Sequence, residues 1–346
     1  MDYSALNEHL TNAQVDQFNK KYPLVGSLSR NYVIGYFVLG FMILVFSAGV
    51  ISAATGESEG GMTSIIALSV FIVLFAGGIV LTALGAKKQR RQAARIQLFA
   101  ERNRLQYIRS QEAPKYTGMY FNEGSDRIIF NALRSQTTSP TYEVGTIQYS
   151  VGSGKDKHTY QKGYVRIGLE RNLPQIVLDA SSNNGKIFGA NLTNLPVDYK
   201  LSQRMSLEGD FDKHFSLYAP KGYERDALYV FTPDLMALLI DNASAYDAEI
   251  IDDQLFIYNA GKPFDLSNEH ELARIFEMIR LVGSKASSQT SYYADANVGD
   301  RAQNVVATQG QRLKKRISVF TIIIIVIAMA ITFGPSIFEL IDSIRR

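Results

Sequence analysis

The stretch "LEGDFDKHFSLYAP", Leu207 to Pro220, sets Glu208, Asp210, Asp212 and His214 within seven residues. Carboxylates and an imidazole at such density are the groups of general acid/base catalysis and divalent-metal binding. A metal-dependent hydrolase using these four residues is therefore the chemistry to test first. Strand geometry supplies the competing expectation, because alternate residues on a strand point to opposite faces. Glu208, Asp210, Asp212, His214, Ser216 and Tyr218 share one parity, while Leu207, Gly209, Phe211, Lys213, Phe215 and Leu217 share the other. A half-buried strand with one wet face gives that alternation without any activity. A metal also needs its ligands within roughly 2.0–2.6 Å of one centre, whereas same-face neighbours on a flat strand stand about 6.5–7 Å apart. Convergence would need a bulge at Gly209 and ligands from elsewhere. No catalytic, cofactor-binding or metal residue is assigned on these grounds, and the four remain candidates only.

Other signatures of chemistry fail on spacing. "VGSGKDKH", Val151 to His158, lacks the glycine and the Ser or Thr of a phosphate loop and suits a hairpin tip. No G-x-S-x-G, H-E-x-x-H, G-x-G-x-x-G or EF-hand loop occurs. The chain has no cysteine, which excludes disulfides, thiolate zinc sites and a Cys nucleophile. No cofactor is expected, and an enzyme is the less favoured class.

The elements that would position these residues are marked by hydropathy and charge. The chain of 346 residues is 46% hydrophobic and 20% charged, with a formal net charge of +3. Three nearly uncharged blocks have bilayer-spanning length: Tyr32 to Ala54, Thr63 to Ala86, and Ile317 to about Phe338. They predict an N-terminal transmembrane hairpin over 32–86 and a third transmembrane helix over 317–338. Gly49 with Ala53, and Gly77, Gly78 and Gly85, have spacings suited to close helix packing. Basic residues flank the blocks: Lys20, Lys21 and Arg30, then Lys87, Lys88, Arg90, Arg91 and Arg95, then Arg312, Lys314, Lys315 and Arg316. The positive-inside rule puts all three clusters in the cytoplasm, with a short exterior tail over 339–346. The expected location is thus a bacterial inner membrane, multi-pass, with the N-terminus and soluble part cytoplasmic and the C-terminus outside. Lys87, Lys88, Arg90, Arg91, Arg95, Arg312, Lys314, Lys315 and Arg316 are expected to touch anionic headgroups of the lipid bilayer.

Between the second and third blocks, residues 97–312 carry 23 Lys and Arg against 26 Asp and Glu. So near-neutral a domain argues against a nucleic-acid partner. A basic juxtamembrane helix is expected over 87–113, from good helix formers with apolar residues at Ile96, Phe99, Leu105 and Ile108. An α+β domain should follow over 114–290. "RIIFNAL", "YEVGTIQYSV", "YVRIGLE", "QIVLDA" and "FSLYAP" suggest strands. "AEIIDDQLFIYNA" suggests a hairpin or two short strands around Asp253-Gln254. Thr232 followed by Pro233 marks a helix start, and Asn268 with Glu271 forms a capping-box spacing before "LARIFEMIRLVG". Residues 291–316 look like a polar linker, and 1–31 like a cytoplasmic N-terminal segment.

"GYVRIGLERNLPQIVLDASSNN", "MSLEGDFDKHFSLYAPKGYERDALYVFTPDLMALLIDNA" and "AEIIDDQLFIY" resemble a group of uncharacterised bacterial membrane proteins classed under a domain of unknown function. The likeness runs from about residue 120 to 308. It implies an inner-membrane protein with a cytoplasmic module and supplies no activity, cofactor or catalytic residue. The function expected is a membrane-anchored binding or scaffolding module with a protein partner and self-association to form a homo-oligomer. The other classes are the hydrolase above and an oligomeric channel or transport-complex component. The last is disfavoured because no span carries a charged residue in its apolar core.

Overall fold

A computed structural model describes residues 1–23, 40, 47, 51, 61–135, 139–187, 190–300, 302–316, 329 and 332. Among the described residues the continuous α-helices are α1 (Asn12–Lys21), α2 (Gly61–Arg102), α3 (Phe211–His214), α4 (Glu224–Val230), α5 (Pro233–Ala243), α6 (Glu269–Met278), α7 (Ser284–Thr290) and α8 (Thr308–Gln311). The strands are β1 (Leu105–Glu112), β2 (Ser125–Ser135), β3 (Tyr142–Val151), β4 (His158–Ala180), β5 (Gly185–Ile187), β6 (Ala190–Leu192), β7 (Asp198–Tyr199), β8 (Arg204–Met205), β9 (Phe215–Tyr218), β10 (Asp247–Asn259) and β11 (Lys315–Arg316). The chain forms two compact units, one of Met1–Tyr116, Gly124–Gly163 and Pro263–Phe276, the other of Thr117–Glu123, Tyr164–Lys262 and Glu277–Arg346.

In the first unit β1, β2 and β3 are sequential neighbours, antiparallel from β1 to β3, and the start of β4 lies beside β3. Ile129, Ala132, Leu133, Val144 and Ile147 bury completely, and Phe99 and Ala100 of α2 bury with them. The Phe276 ring meets Phe99 at 6.0 Å and Tyr142 edge-on at 5.9 Å, so α6 closes this core. The N-terminal segment also belongs here. Tyr3 stacks on Phe99 at 5.5 Å, and Ala5, Leu6, Val15 and Phe18 are buried. Helix α1 starts on a reciprocal capping box, in which Thr11 Oγ1 accepts the Gln14 N–H and Gln14 Oε1 accepts the Thr11 N–H. Thr11→Ala should destabilise α1 by about 1 kcal/mol. Hydrogen exchange of the 12–21 amides reads that loss, and unchanged protection there would refute the cap's role.

In the second unit β10 and β9 both pair with β4, and β8 continues beyond β9. Val165, Ile167, Ile176, Val177, Phe215, Leu217, Phe256 and Ile257 form its core, with Leu235, Leu239 and Val282 from the helices. Helices α6 and α7 are joined by a wider turn over Ile279–Gly283. A side chain on Gly283 would stand 2.9 Å from Ile167 Cδ1, so glycine lets this turn approach β4.

Several expectations are corrected. The first and third apolar blocks lie outside the described residues apart from isolated positions. The second is the N-terminal part of α2, which continues unbroken through Lys87–Arg95 and buries its last turns in the first core. Among the described residues no helix is long and apolar enough to cross a membrane. The three transmembrane helices, the membrane assignment and the multi-pass inner-membrane localisation with an exterior C-terminus are therefore not supported. Gly49 and Ala53 also fall outside the described residues, and a side chain at Gly77, Gly78 or Gly85 would meet open space. The helix expected over 87–113 stops at Arg102, where Arg104 takes a positive φ of 57° and the chain enters β1. "AEIIDDQLFIYNA" lies within one strand, β10, with Asp252 at φ 53°.

The 291–316 segment is a docked arm of the second unit. Arg171 Nε donates to the Tyr293 carbonyl at 2.8 Å, and the Asn172 N–H and side-chain amide reach Asn304 at 2.7 and 2.6 Å. Tyr223 OH donates to Asp295 at 2.7 Å, and Asp295 also accepts the Asn297 and Ala307 N–H groups. Its polarity satisfies partners instead of water.

Candidate functional site

The 207–220 stretch is not a strand along its length. Gly209 turns the chain at φ 73°, Phe211–His214 make the single turn α3, and only Phe215–Tyr218 extend as β9. Leu207, Phe211 and Phe215 are buried, whereas Gly209 and Lys213 are exposed. The apolar period here is four residues, one helical turn. Asp212 has a local structural task. Its carboxylate accepts from Ser206 Oγ and, at 3.1 Å, from the Leu207 N–H, closing the loop. Glu208 and Asp210 point outward from exposed positions, and His214 is half-buried. Among the described residues no three His, Cys, Asp or Glu side chains are grouped to hold a metal. Glu208, Asp210, Asp212 and His214 are thus not gathered around a common centre.

The two basic clusters have different surroundings. At the C-terminal arm, Arg312 makes a forked pair with Asp252 at 2.9 and 3.0 Å, and Arg316 lies 3.9 Å from Asp198. Lys314 is held through its backbone by Gln203, and Lys315 and Arg316 pair with β7. On α2, by contrast, none of Lys87, Lys88, Arg90, Arg91 or Arg95 makes an ion pair among the described residues. Arg91 donates to Asn12 Oδ1 at 3.1 Å and Arg95 to the Glu8 carbonyl at 2.9 Å, both neutral acceptors that leave the charges uncompensated.

Leu84, Lys87, Lys88, Arg91, Gln92 and Arg95 line a hollow of about 280 Å³. At 100° per residue these positions, with Val80 and Leu81, lie within roughly 80° of Leu84 around the helix. Val80, Leu81 and Leu84 are 56%, 71% and 58% exposed. One face of α2 is therefore an exposed apolar turn followed by two basic turns. Nearby, burial lowers the Arg109 pKa and Arg90 lowers it further, while Arg109 covers the Phe18 ring and donates to the Tyr22 carbonyl. Among the described residues, this side of the first unit gathers positive charge that no carboxylate pairs with on the Lys87–Arg95 face.

A third constellation escaped the sequence. Glu249 on β10 is fully buried. Its Oε2 accepts the Met119 N–H at 2.7 Å and Tyr258 OH at 3.2 Å, and its Oε1 accepts Gln175 Nε2 at 2.7 Å. Burial pushes its pKa up to about 7, against the opposing pull of those donors and of the Arg312 charge. A void of about 10 Å³ beside it, walled by Ile176, Leu178, Leu239 and Leu255, has room for one water. The available signal was a lone Glu in "AEII", a run too apolar for a wet strand face.

No family model and no curated protein matches the chain. Among solved structures it is similar to the crystal structure of the mycobacterial trehalose monomycolate transport factor A, TtfA. The two share 8% identity and a TM-score of 0.37, over 56% of this chain and 93% of that one.

Proposed function

We propose that this protein is a binding module that docks on an anionic lipid surface through one face of α2. The observation that carries this is the stripe of exposed Val80, Leu81 and Leu84 continuing into uncompensated Lys87, Lys88, Arg91 and Arg95. A rise of 1.5 Å per residue sets Leu81 about 10 Å from Lys88 along the helix axis. A helix lying in the interface plane presents both turns to the same surface, and its apolar side chains settle about 5–10 Å into the headgroup and acyl boundary. The cations then lie level with the phosphates, each contributing about 1 kcal/mol near an anionic surface. A phosphate-bearing ligand free in solution would satisfy the cations and leave the apolar turn in water. The carboxylate/His cluster favours no hydrolase, because its members do not converge.

Flotation of the full-length protein with phosphatidylglycerol/phosphatidylcholine vesicles, against phosphatidylcholine alone, tests this. Binding should require the anionic lipid and weaken with salt. The triple variant Lys87→Gln, Lys88→Gln, Arg91→Gln should bind about a hundredfold more weakly, three lost contacts of about 1 kcal/mol each. Equal binding to neutral vesicles, or a triple variant that binds like the parent, would refute the proposal.

A further inference from the structure

We propose that Glu249 and Gln175 form a proton-operated latch, in which protonation of Glu249 releases the strap Gln311–Arg316 from the second unit. Four sets of contacts seat this strap. The Leu313 N–H donates to Gln175 Oε1 at 2.7 Å, and the Lys314 N–H to Gln203 Oε1 at 2.9 Å. The Lys314 carbonyl accepts Gln203 Nε2 at 2.9 Å and the Lys200 N–H at 3.1 Å. Arg312 forks onto Asp252, and β11 pairs with β7. The Gln175 amide is the joint between this strap and the buried acid.

The amide can serve both neighbours in one orientation only. Ionised Glu249 presents acceptors alone, so Gln175 turns its NH₂ toward Oε1 and its oxygen toward Leu313. A proton on Glu249 goes to Oε1, which has one donor, in preference to Oε2, which already accepts two. Oε1–H then faces an N–H, and Gln175 relieves the clash by turning over. Its NH₂ now confronts the Leu313 N–H, and the strap loses its buried bond.

Charge acts in the same direction. The Arg312 cation, carried on the strap, favours the Glu249 anion. By linkage the Glu249 anion favours the seated strap to the same extent. The other titratable groups facing Glu249 leave it as the switching group. Tyr258 on its own strand and Tyr199 on β7 are pushed up by burial and stay neutral through the physiological range, and Tyr120 lies edge-on to Tyr258. Asp247 on β10 is engaged by the Ala180 N–H and Asn183, and Asp179 on β4 by Asn184. Glu123 reaches the cluster through its field on Tyr199, and Asp252 is the surface partner of Arg312. Burial places the Glu249 transition at about 7, within reach of cellular pH changes.

The test is hydrogen exchange of the full-length protein across this pH range, with rates normalised to intrinsic exchange. Amides of 311–316 should lose about tenfold or more in protection as pH falls through about 7, while β4 and β10 amides keep theirs. Glu249→Gln keeps its carbonyl on the two Oε2-side donors and turns its NH₂ toward Gln175. It should leave the strap unprotected at every pH. Arg312→Gln, a surface change that spares the core, should move the release to higher pH. A parent strap whose protection ignores pH overturns the latch, as does an Arg312→Gln protein that releases at the parent's pH. Strap exposure that coincides with exposure of β4 and β10 overturns it too, because release would then be unfolding.

Discussion

Gly310→Ala should destabilise the second unit by about 3 kcal/mol, the upper end of what overpacking a close-fitted site costs. A Cβ at this position would press into the Tyr223 ring, meeting Cζ and, at 2.7 Å, both Cε1 and Cε2. That ring is fully buried and cannot retreat. Its hydroxyl is tied to Asp295 at 2.7 Å, and Asp295 in turn holds the Asn297 and Ala307 N–H groups. The methyl group therefore displaces the arm instead of the ring. Chemical denaturation should show the full loss, and hydrogen exchange should show 293–307 opening first. Gly299→Ala, where a Cβ meets open space, should stay within about 0.5 kcal/mol of the parent and serves as the control. Matching stabilities for Gly310→Ala and the parent would mean that the arm is not packed on Tyr223.

The arm also shows where sequence legibility ends. Between Ser291 and Val306 the composition is polar and aperiodic, which by local rules reads as solvated chain. Its polar groups are satisfied by partners far away in sequence, such as Arg171, Asn172 and Tyr223. Local pattern carries no trace of such bonds. Elements whose cause is local were legible. β3 begins and ends where "YEVGTIQYSV" does, α5 starts at Pro233 after Thr232, and the Glu271 N–H is capped by Asn268 Oδ1 at 3.1 Å.

The Leu207–Pro220 stretch is ambiguous for a different reason, since two periods fit the same residues. Leu207, Phe211 and Phe215 satisfy a spacing of two and of four alike, and only Gly209 and Lys213 distinguish them. Both sit on the supposedly buried parity, and both are exposed. A lysine on the apolar face was the warning. For α2 the sequence located the basic cluster, while the uncompensated state of its charges needed the packing of residues 1–23 to be seen. Which of the two basic clusters is neutralised is a tertiary fact: Asp252 is 60 residues from Arg312.

Glu249→Gln should remove a pH dependence of stability worth about 3 kcal/mol, the second large effect expected. The carboxyl ordinarily titrates at 4.5 and is held at about 7 in the fold, so the folded state binds the proton more tightly than the unfolded chain. Stability from this group is therefore fully present below about pH 4.5 and is lost as pH rises through about 7. The difference between ordinary and folded values corresponds to about 3 kcal/mol. Asp179, raised by burial, adds a loss of the same sign, and Asp295, which burial pushes up but its hydrogen bonds from Ala307, Asn297 and Tyr223 pull down further, adds one of opposite sign. Subtracting the variant's profile from the parent's isolates Glu249 from both. The parent's stability relative to Glu249→Gln should fall by about 3 kcal/mol between about pH 4 and about pH 8. A difference that stays flat would mean the acid titrates normally, with water reaching it through the neighbouring void. A difference that rises with pH would mean the Met119, Gln175 and Tyr258 donors, with Arg312, outweigh burial and hold the anion. In that case Glu249 would act as an ordinary buried structural carboxylate whose stability is lost in acid.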